Sequence, residues 1–162
     1  MDAARYIWGI DPGTTESAGV LYDPEAHRIE WHFTGIWPNA DLLNADWPDI
    51  RATMAIEKIV SYGMSVGQET FDTCVFIGRL VERWRYLNKW ALSPILIPRK
   101  EIVIALCGTA KAKDPNVRRV LLDLFGGDKA VGTKKAPGPL YGIKTHLWSA
   151  LAVAVVAAGR AK

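Results

Sequence analysis

Residues 6–15 read Tyr6-Ile7-Trp8-Gly9-Ile10-Asp11-Pro12-Gly13-Thr14-Thr15. A short apolar run is closed by an acid and then by Pro-Gly, the pattern of a strand that stops. Pro12 and Gly13 force the chain to turn, so Asp11 is held at the end of a sheet and not inside it. Thr53-Met54-Ala55-Ile56-Glu57 repeats the form, four largely apolar residues followed by an acid. If the two strands are neighbours, Asp11 and Glu57 converge. A carboxylate pair in a strand-end crevice suits Mg²⁺ or Mn²⁺, hard cations that take oxygen ligands. A lone Asp before Pro-Gly is more often a turn former. Two strand-terminal acids flanked by small residues point to a site.

Outward from these stretches, Ala18–Tyr22 reads as a second strand, after a Thr/Ser turn. Asp23-Pro24-Glu25 makes another turn. Arg28–Thr34 alternates, with Ile29, Trp31 and Phe33 on one face and Glu30, His32 and Thr34 on the other, which predicts a third strand in an antiparallel meander. Gly35–Asp49 reads as a long connection with room for one short helix. Ile77, Leu80, Val81, Trp84 and Leu87 mark the apolar face of a helix beginning near Val66. Pro94–Ile97 reads as a buried strand. Arg99–Leu106 and Asn116–Phe125 read as helices, the second started by Asp114-Pro115. Gly126–Gly142, rich in Gly, Pro and Lys, reads as a mobile basic loop, and a last helix runs from about Lys144 to Ala158. The strand–helix–strand unit in the middle predicts a right-handed parallel crossover. The expected class is α/β: a mixed five-stranded sheet, three antiparallel strands then parallel ones, with helices on both faces, in one domain over residues 1–162.

The chain has 162 residues, 49% hydrophobic and 23% charged, a composition that excludes disorder as its main state. The net charge of +3 is unevenly spread. Residues 1–57 carry 3 Lys/Arg against 10 Asp/Glu, and residues 58–162 carry 17 against 7. An acidic centre set in a basic surface is what metal-dependent nucleic-acid enzymes present. Cys74 and Cys107 lie in apolar runs and read as buried free thiols in a reducing compartment. No zinc-ligand spacing occurs. The longest apolar run, Ala150–Ala158, is too short to span a bilayer. Asp2, Arg5 and Asp11 interrupt any apolar signal core, so a cytoplasmic protein is expected.

His146 is the third candidate, just before Leu147-Trp148-Ser149-Ala150-Leu151-Ala152-Val153-Ala154. A lone His near a helix start is usually structural or exposed, as His27 and His32 look to be. Taken together, Gly9-Ile10-Asp11-Pro12-Gly13-Thr14, Ala55-Ile56-Glu57 and His146 to Ala154 resemble the RuvC-type Holliday-junction resolvases of the RNase H-like superfamily, especially their shorter phage-type relatives. The resemblance spans nearly the whole chain through its order of elements. The first motif alone is shared with actin-like ATPases and sugar kinases, which use it to hold nucleotide phosphate.

The resemblance implies an RNase H-like fold and a metal-dependent endodeoxyribonuclease that cuts crossover junctions, in the cytoplasm of a bacterial or phage-infected cell. Asp11 matches the family's first-strand aspartate and Glu57 its fourth-strand glutamate. His146 and Ser149 stand where the family presents two acids on its last helix. Asp11, Glu57 and His146 are therefore the implied catalytic and metal-binding residues. Two Mg²⁺ or Mn²⁺ ions about 4 Å apart are implied, with Asp11 between them and Glu57 and His146 each favouring one. Ser149 leaves the site one carboxylate short, and Glu69, Asp72 and Asp114 are the possible substitutes.

Branched DNA is the implied partner, and two symmetric cuts imply a C2 homodimer. No membrane or nucleotide cofactor is expected. Lys111 and Lys113 resemble the family's basic residues near the scissile phosphate. Arg79, Arg83, Arg85, Lys89, Arg99, Lys100, Arg118, Arg119, Lys129 and Lys144 add phosphate-contact capacity, and Lys134-Lys135 in the Gly/Pro-rich loop are the strongest of the set. Tyr62 or Met64 stands where related resolvases place an aromatic wedge. A non-catalytic junction-binding protein is the alternative. A nucleotide-phosphate binder is a third reading, disfavoured by chain length and by the lack of a second Asp-x-Gly motif.

Overall fold

The computed structural model describes residues 5–47, 50–88 and 92–160. Five strands form one sheet: β1 (Tyr6–Asp11), β2 (Glu16–Asp23), β3 (Arg28–Pro38), β4 (Ala52–Lys58) and β5 (Ile95–Pro98). Their spatial order is β3-β2-β1-β4-β5. β1, β2 and β3 pair antiparallel, whereas β4 lies parallel to β1 and β5 parallel to β4. The helices are α1 (Asn39–Asn44), α2 (Gln68–Leu87), α3 (Arg99–Cys107), α4 (Asp114–Leu124) and α5 (Leu147–Arg160). This is the mixed α/β sheet that the sequence predicts.

Strand alternation divides the core into two. On one face Trp8 and Ile10 of β1, Leu21 of β2, and Met54 and Ile56 of β4 pack against Leu42 of α1 and Phe76, Ile77, Leu80 and Trp84 of α2. Trp8 meets Trp47 edge-on at 5.4 Å and Trp37 at 6.4 Å between ring centroids, which puts much of the protein's aromatic area in one cluster. On the other face Ile7, Val20, Tyr22 and Ala55 pack against α3, α4 and the small-residue stripe of α5. Asp11 is two residues from Gly9 and Glu57 two from Ala55. Both acids therefore follow the face that α5 covers.

Gly9 permits that cover. A Cβ there would collide with the Ala150 carbonyl oxygen and come within 2.7 Å of the Ala154 backbone and Cβ. Glycine on the strand and alanines on the helix let the two backbones touch.

Several expectations need correction. The third strand continues through Gly35–Pro38, where the sequence pattern predicts a connection; that stretch ends in α1, and Pro48 and Asp49 lie outside the described residues. Its alternation also fails. Gly19 pairs with Gly35 but Leu21 with Glu30, so β3 bulges over residues 31–34. The Thr34 hydroxyl fills the gap, accepting from the Leu21 N–H (3.1 Å) and donating to the Glu30 carbonyl (2.9 Å). Trp31 is thereby left 43% exposed, although the alternation places it on one face with the buried Ile29. β5 is an edge strand in which Leu96 faces out and Ile97 alone is buried, not a buried strand throughout. Cys74 is exposed and Cys107 half-buried, so neither is the buried thiol expected. Cys74 falls on the outer side of α2, where helical period overrides the local apolar run.

Gly126–Gly142, read from the sequence as a loop, carries regular local structure. A 3-10 turn (Gly127–Ala130) leads into a small hairpin in which Gly132 bridges Pro137. Thr133 and Ala136 exchange backbone hydrogen bonds of 2.9 and 3.1 Å, which sets Lys134-Lys135 at the tip. Leu140 and Ile143 anchor the segment in the core. No helix among the described residues is long and apolar enough to cross a membrane.

Gly9→Ala is expected to lower unfolding free energy by at least about 2 kcal/mol, because the contacted atoms are backbone and cannot rotate away. Urea denaturation measures this. An unchanged midpoint would mean that α5 is not seated on β1 as described.

Candidate active site

The parallel pairing of β1 and β4 brings the two strand-end acids together. Ile10 is opposite Ile56, so Asp11 and Glu57 are the next residues out on adjacent strands. The sequence foresaw this convergence, conditional on neighbouring strands. Glu57 also pairs with Ile97 of β5, and Arg99 begins α3 just beyond that strand.

His146 precedes α5, and its carbonyl accepts the Ala150 N–H at 3.1 Å. Thr145 before it holds a left-handed φ of 44°, a strained conformation for a β-branched residue. That turn sets the ring over the sheet edge, with Nδ1 3.0 Å from Asp11 Oδ2. A carboxylate only accepts, so Nδ1 carries the proton in this contact and Nε2 is left as the ring's lone-pair nitrogen when the imidazole is neutral.

Burial raises the Asp11 carboxyl above its ordinary range; the hydrogen bond and charge of His146, and the Arg99 guanidinium, oppose that rise. Burial also pushes Glu57 up, to about 7. Arg99 opposes the shift and the charge of Asp11 adds to it. Two desolvated carboxylates side by side disfavour joint ionisation unless a cation joins them. Arg99 is the cation present. Its guanidinium reaches Glu57 Oε2 at 3.5 Å and bonds Asp114 at the start of α4.

The loop after β1 is held from beneath. Asn39, the first residue of α1, donates its side-chain amide to the carbonyls of Gly13 (2.9 Å) and Thr14 (3.0 Å). Ser17 Oγ donates to Asn39 Oδ1 at 2.7 Å and accepts the Gly13 N–H at 3.2 Å. Thr14 meets Thr73 of α2 through their hydroxyls. Sequence reasoning missed Asn39 and Ser17. Asn39 stands in a run that reads as a loop, and only the β3 extension brings it under residues 13–14.

A groove of about 350 Å³ runs along this edge, lined by Asp11, Pro12 to Glu16, Glu69 and His146. Glu69 thus stands on the Asp11 side. Asp72 lies away from it, hydrogen-bonded to Gln68 (2.9 Å). Ser149 faces a separate cavity shared with Arg99, Asp114 and Arg118. Arg118 stacks over Trp148, 4.7 Å from the ring centroid. Lys111 and Lys113 are exposed between α3 and α4, and the Lys113 N–H bonds Asn116 at the α4 start. Tyr62 and Met64 are exposed beyond β4. Two expected phosphate-binding cations are engaged internally: Arg99 as above, and Arg119 with Asp123 and Asp128. Lys89 lies outside the described residues.

For the divalent metal that the sequence resemblance implies, the donors fit in chemistry. Asp11 and Glu57 supply oxygen, His146 supplies nitrogen, and both carboxylates sit in a desolvated place already drawing a cation. Among the described residues no three acidic, His or Cys side chains converge as they stand on a single ion position. The Arg99 guanidinium lies between Glu57 and Asp114.

No protein-family model matches the chain, and no curated protein does. Solved structures do. RuvC from Thermus thermophilus is similar over 94% of this chain and 93% of its own, with a TM-score of 0.63 and 18% identity. T. thermophilus RuvC in complex with a Holliday junction substrate is similar over 95% and 93%, with a TM-score of 0.64 and 18% identity. The chain therefore shares the fold of RuvC over nearly its full length.

Proposed function

We propose that this chain is a metal-dependent, structure-selective DNA endonuclease that resolves Holliday junctions or other branched DNA. The convergence of Asp11 and Glu57 beside His146, at the sheet edge of a RuvC fold, carries this reading. Asp11, Glu57 and His146 are assigned as the catalytic and metal-holding residues. Bound Mg²⁺ or Mn²⁺ supplies a polarised water and charge neutralisation at the scissile phosphate.

The chain's own residues do the rest. Asp11 and Glu57 are fixed by strand backbone and hold their oxygens in a desolvated crevice. His146 is exposed above them and able to accept or return a proton at Nε2. The loop over residues 12–15 is braced by Asn39 and gives the groove a rigid floor. Lys111, Lys113 and the Lys134-Lys135 tip are assigned to phosphate contact, with Arg118 behind them. Tyr62 is assigned to the opened junction. A C2 homodimer is supported by the outer side of α2, where Phe71 and Val75 are exposed one helical turn apart. The working compartment is the cytoplasm of a bacterial or phage-infected cell.

Ser149 favours a second reading, a branched-DNA-binding protein of the same fold with weak or absent cutting. A synthetic four-way junction separates the two. Wild type is expected to bind and cut with Mg²⁺ or Mn²⁺, and Asp11→Asn and Glu57→Gln to bind with cutting reduced at least about 10³-fold. Binding without cutting by wild type under either metal would establish the second reading.

Proton linkage gives a further check. The folded state holds the Glu57 proton more tightly than the unfolded chain, because its carboxyl is pushed up to about 7. The contribution of Glu57 to the stability of the metal-free protein is thus fully present below the ordinary carboxylate range and is lost as pH rises through about 7. Mg²⁺ must displace that proton, so its apparent affinity rises with pH up to about 7 and then levels off. Thermal melts with and without Mg²⁺ read both trends, and Glu57→Gln should flatten both. Replacing Lys134 and Lys135 by Ala should weaken junction binding and reduce the magnitude of the log–log salt slope by about 2.

A further inference from the structure

The tryptophan cluster on the α2 side of the sheet borders an open cavity of about 200 Å³. It shares no lining residue with the groove at Asp11, and the inference drawn from it does not rest on the nuclease reading. Three indoles wall it. Trp8 is buried, and its ring stands at 74° to that of Trp37 and at 88° to that of Trp47. Trp37 and Trp47 are half-buried, so aromatic surface reaches solvent here. The Trp47 N–H donates to the Leu42 carbonyl at 2.9 Å, which fixes that ring against α1. The rim is a separate observation. Asp41 of α1 and Asp46 just beyond the helix are exposed at the cavity, with His32 beside them. Neither acid has an ion-pair partner among the described residues, and no lysine or arginine lines the cavity. Residues 1–57, to which all of this belongs, carry 10 Asp/Glu against 3 Lys/Arg.

We propose that this cavity receives an arginine side chain of a protein partner, with the guanidinium stacked on the indoles and its charge met by Asp41 and Asp46.

Walls and rim ask for the same ligand. Indole faces attract a cation through the ring quadrupole, and unpaired carboxylates attract it through their charge. A metal ion does not suit the place. Hard cations take several oxygen ligands, and ring faces supply none. An organic cation uses both surfaces. An ammonium is a compact, strongly hydrated charge, whereas a guanidinium is planar, weakly hydrated, stacks on aromatic faces and presents a fork to carboxylates. The open mouth suits a side chain that reaches in from another chain; a free small ligand is usually enclosed over most of its surface. Nucleic acid is disfavoured by sign, because Asp41 and Asp46 repel phosphate.

Titration of the full chain with N-acetyl-glycyl-arginyl-glycinamide, followed by NMR of the indole N–H signals, tests this. The peptide is expected to move the Trp37 and Trp47 signals saturably at millimolar concentration. Trp148, packed on the other side of the sheet, should stay in place. The citrulline peptide has the same shape without the charge, and it should bind at least about fivefold more weakly. Asp41→Asn combined with Asp46→Asn should weaken the arginine peptide by a similar factor. Both substitutions fall on exposed side chains, and an unchanged amide spectrum away from the cavity verifies the fold; the citrulline comparison needs no variant. No movement at tens of millimolar overturns the inference, as does equal binding of the citrulline peptide or equal binding by the double variant. Movement of the same indoles on adding a DNA four-way junction would give this surface to nucleic acid. Movement on concentrating the protein alone would give it to a second copy of the chain. Either result overturns the inference, and none of these outcomes alters the cutting assay.

Discussion

The contact of α5 with β1 across Gly9 governs the position of everything at the sheet edge. A helix usually packs on a sheet through a layer of side chains, but here the Ala150 carbonyl and the Ala154 backbone rest where a Cβ of residue 9 would be. That closeness fixes the height of the α5 N-terminus above the end of β1. It brings His146, one residue ahead of the helix, within hydrogen-bond distance of Asp11. The left-handed turn at Thr145 is the local cost of aiming the ring there.

Electrostatics then does what packing does not. Burial puts Asp11 and Glu57 where each resists ionising, and the charge of Asp11 raises Glu57 further. His146 answers one acid and Arg99 the other, and Arg99 in turn reaches Asp114. The site is a half-rigid object. Its two buried acids are set by strand register, and its remaining charged groups come from the ends of helices or the residues beside them.

Much of this was legible in the sequence, for definable reasons. Asp11 and Glu57 could be found because each ends an apolar strand, and a strand end is readable from one short window. The two-faced sheet followed from element order. The β3 bulge could not be read, because it depends on how many residues of β2 face residues 30–35 across the sheet. Asn39 and Ser17 were hidden for the same reason, being joined across 22 residues of chain. Arg99 was visible only as one positive charge among many. Its pairing with Glu57 and Asp114 depends on how far its side chain reaches from the start of α3, which the predicted parallel crossover does not specify.

The alternation that sorts the two cores has one more effect. Trp8 and Ile10 belong to one core, while Ile7 belongs to the other, with Gly9 beneath α5 and Asp11 on the same side. Packing and chemistry thus share one reading frame along β1. A slip of a single residue would turn Asp11 toward α2 and drive Trp8 against the alanines of α5. Such a chain would lose its core and its site in the same step, so a misaligned strand could not persist as a folded but inert protein. The tryptophan that anchors one layer is therefore also a proofreader for the acid three residues further along the strand.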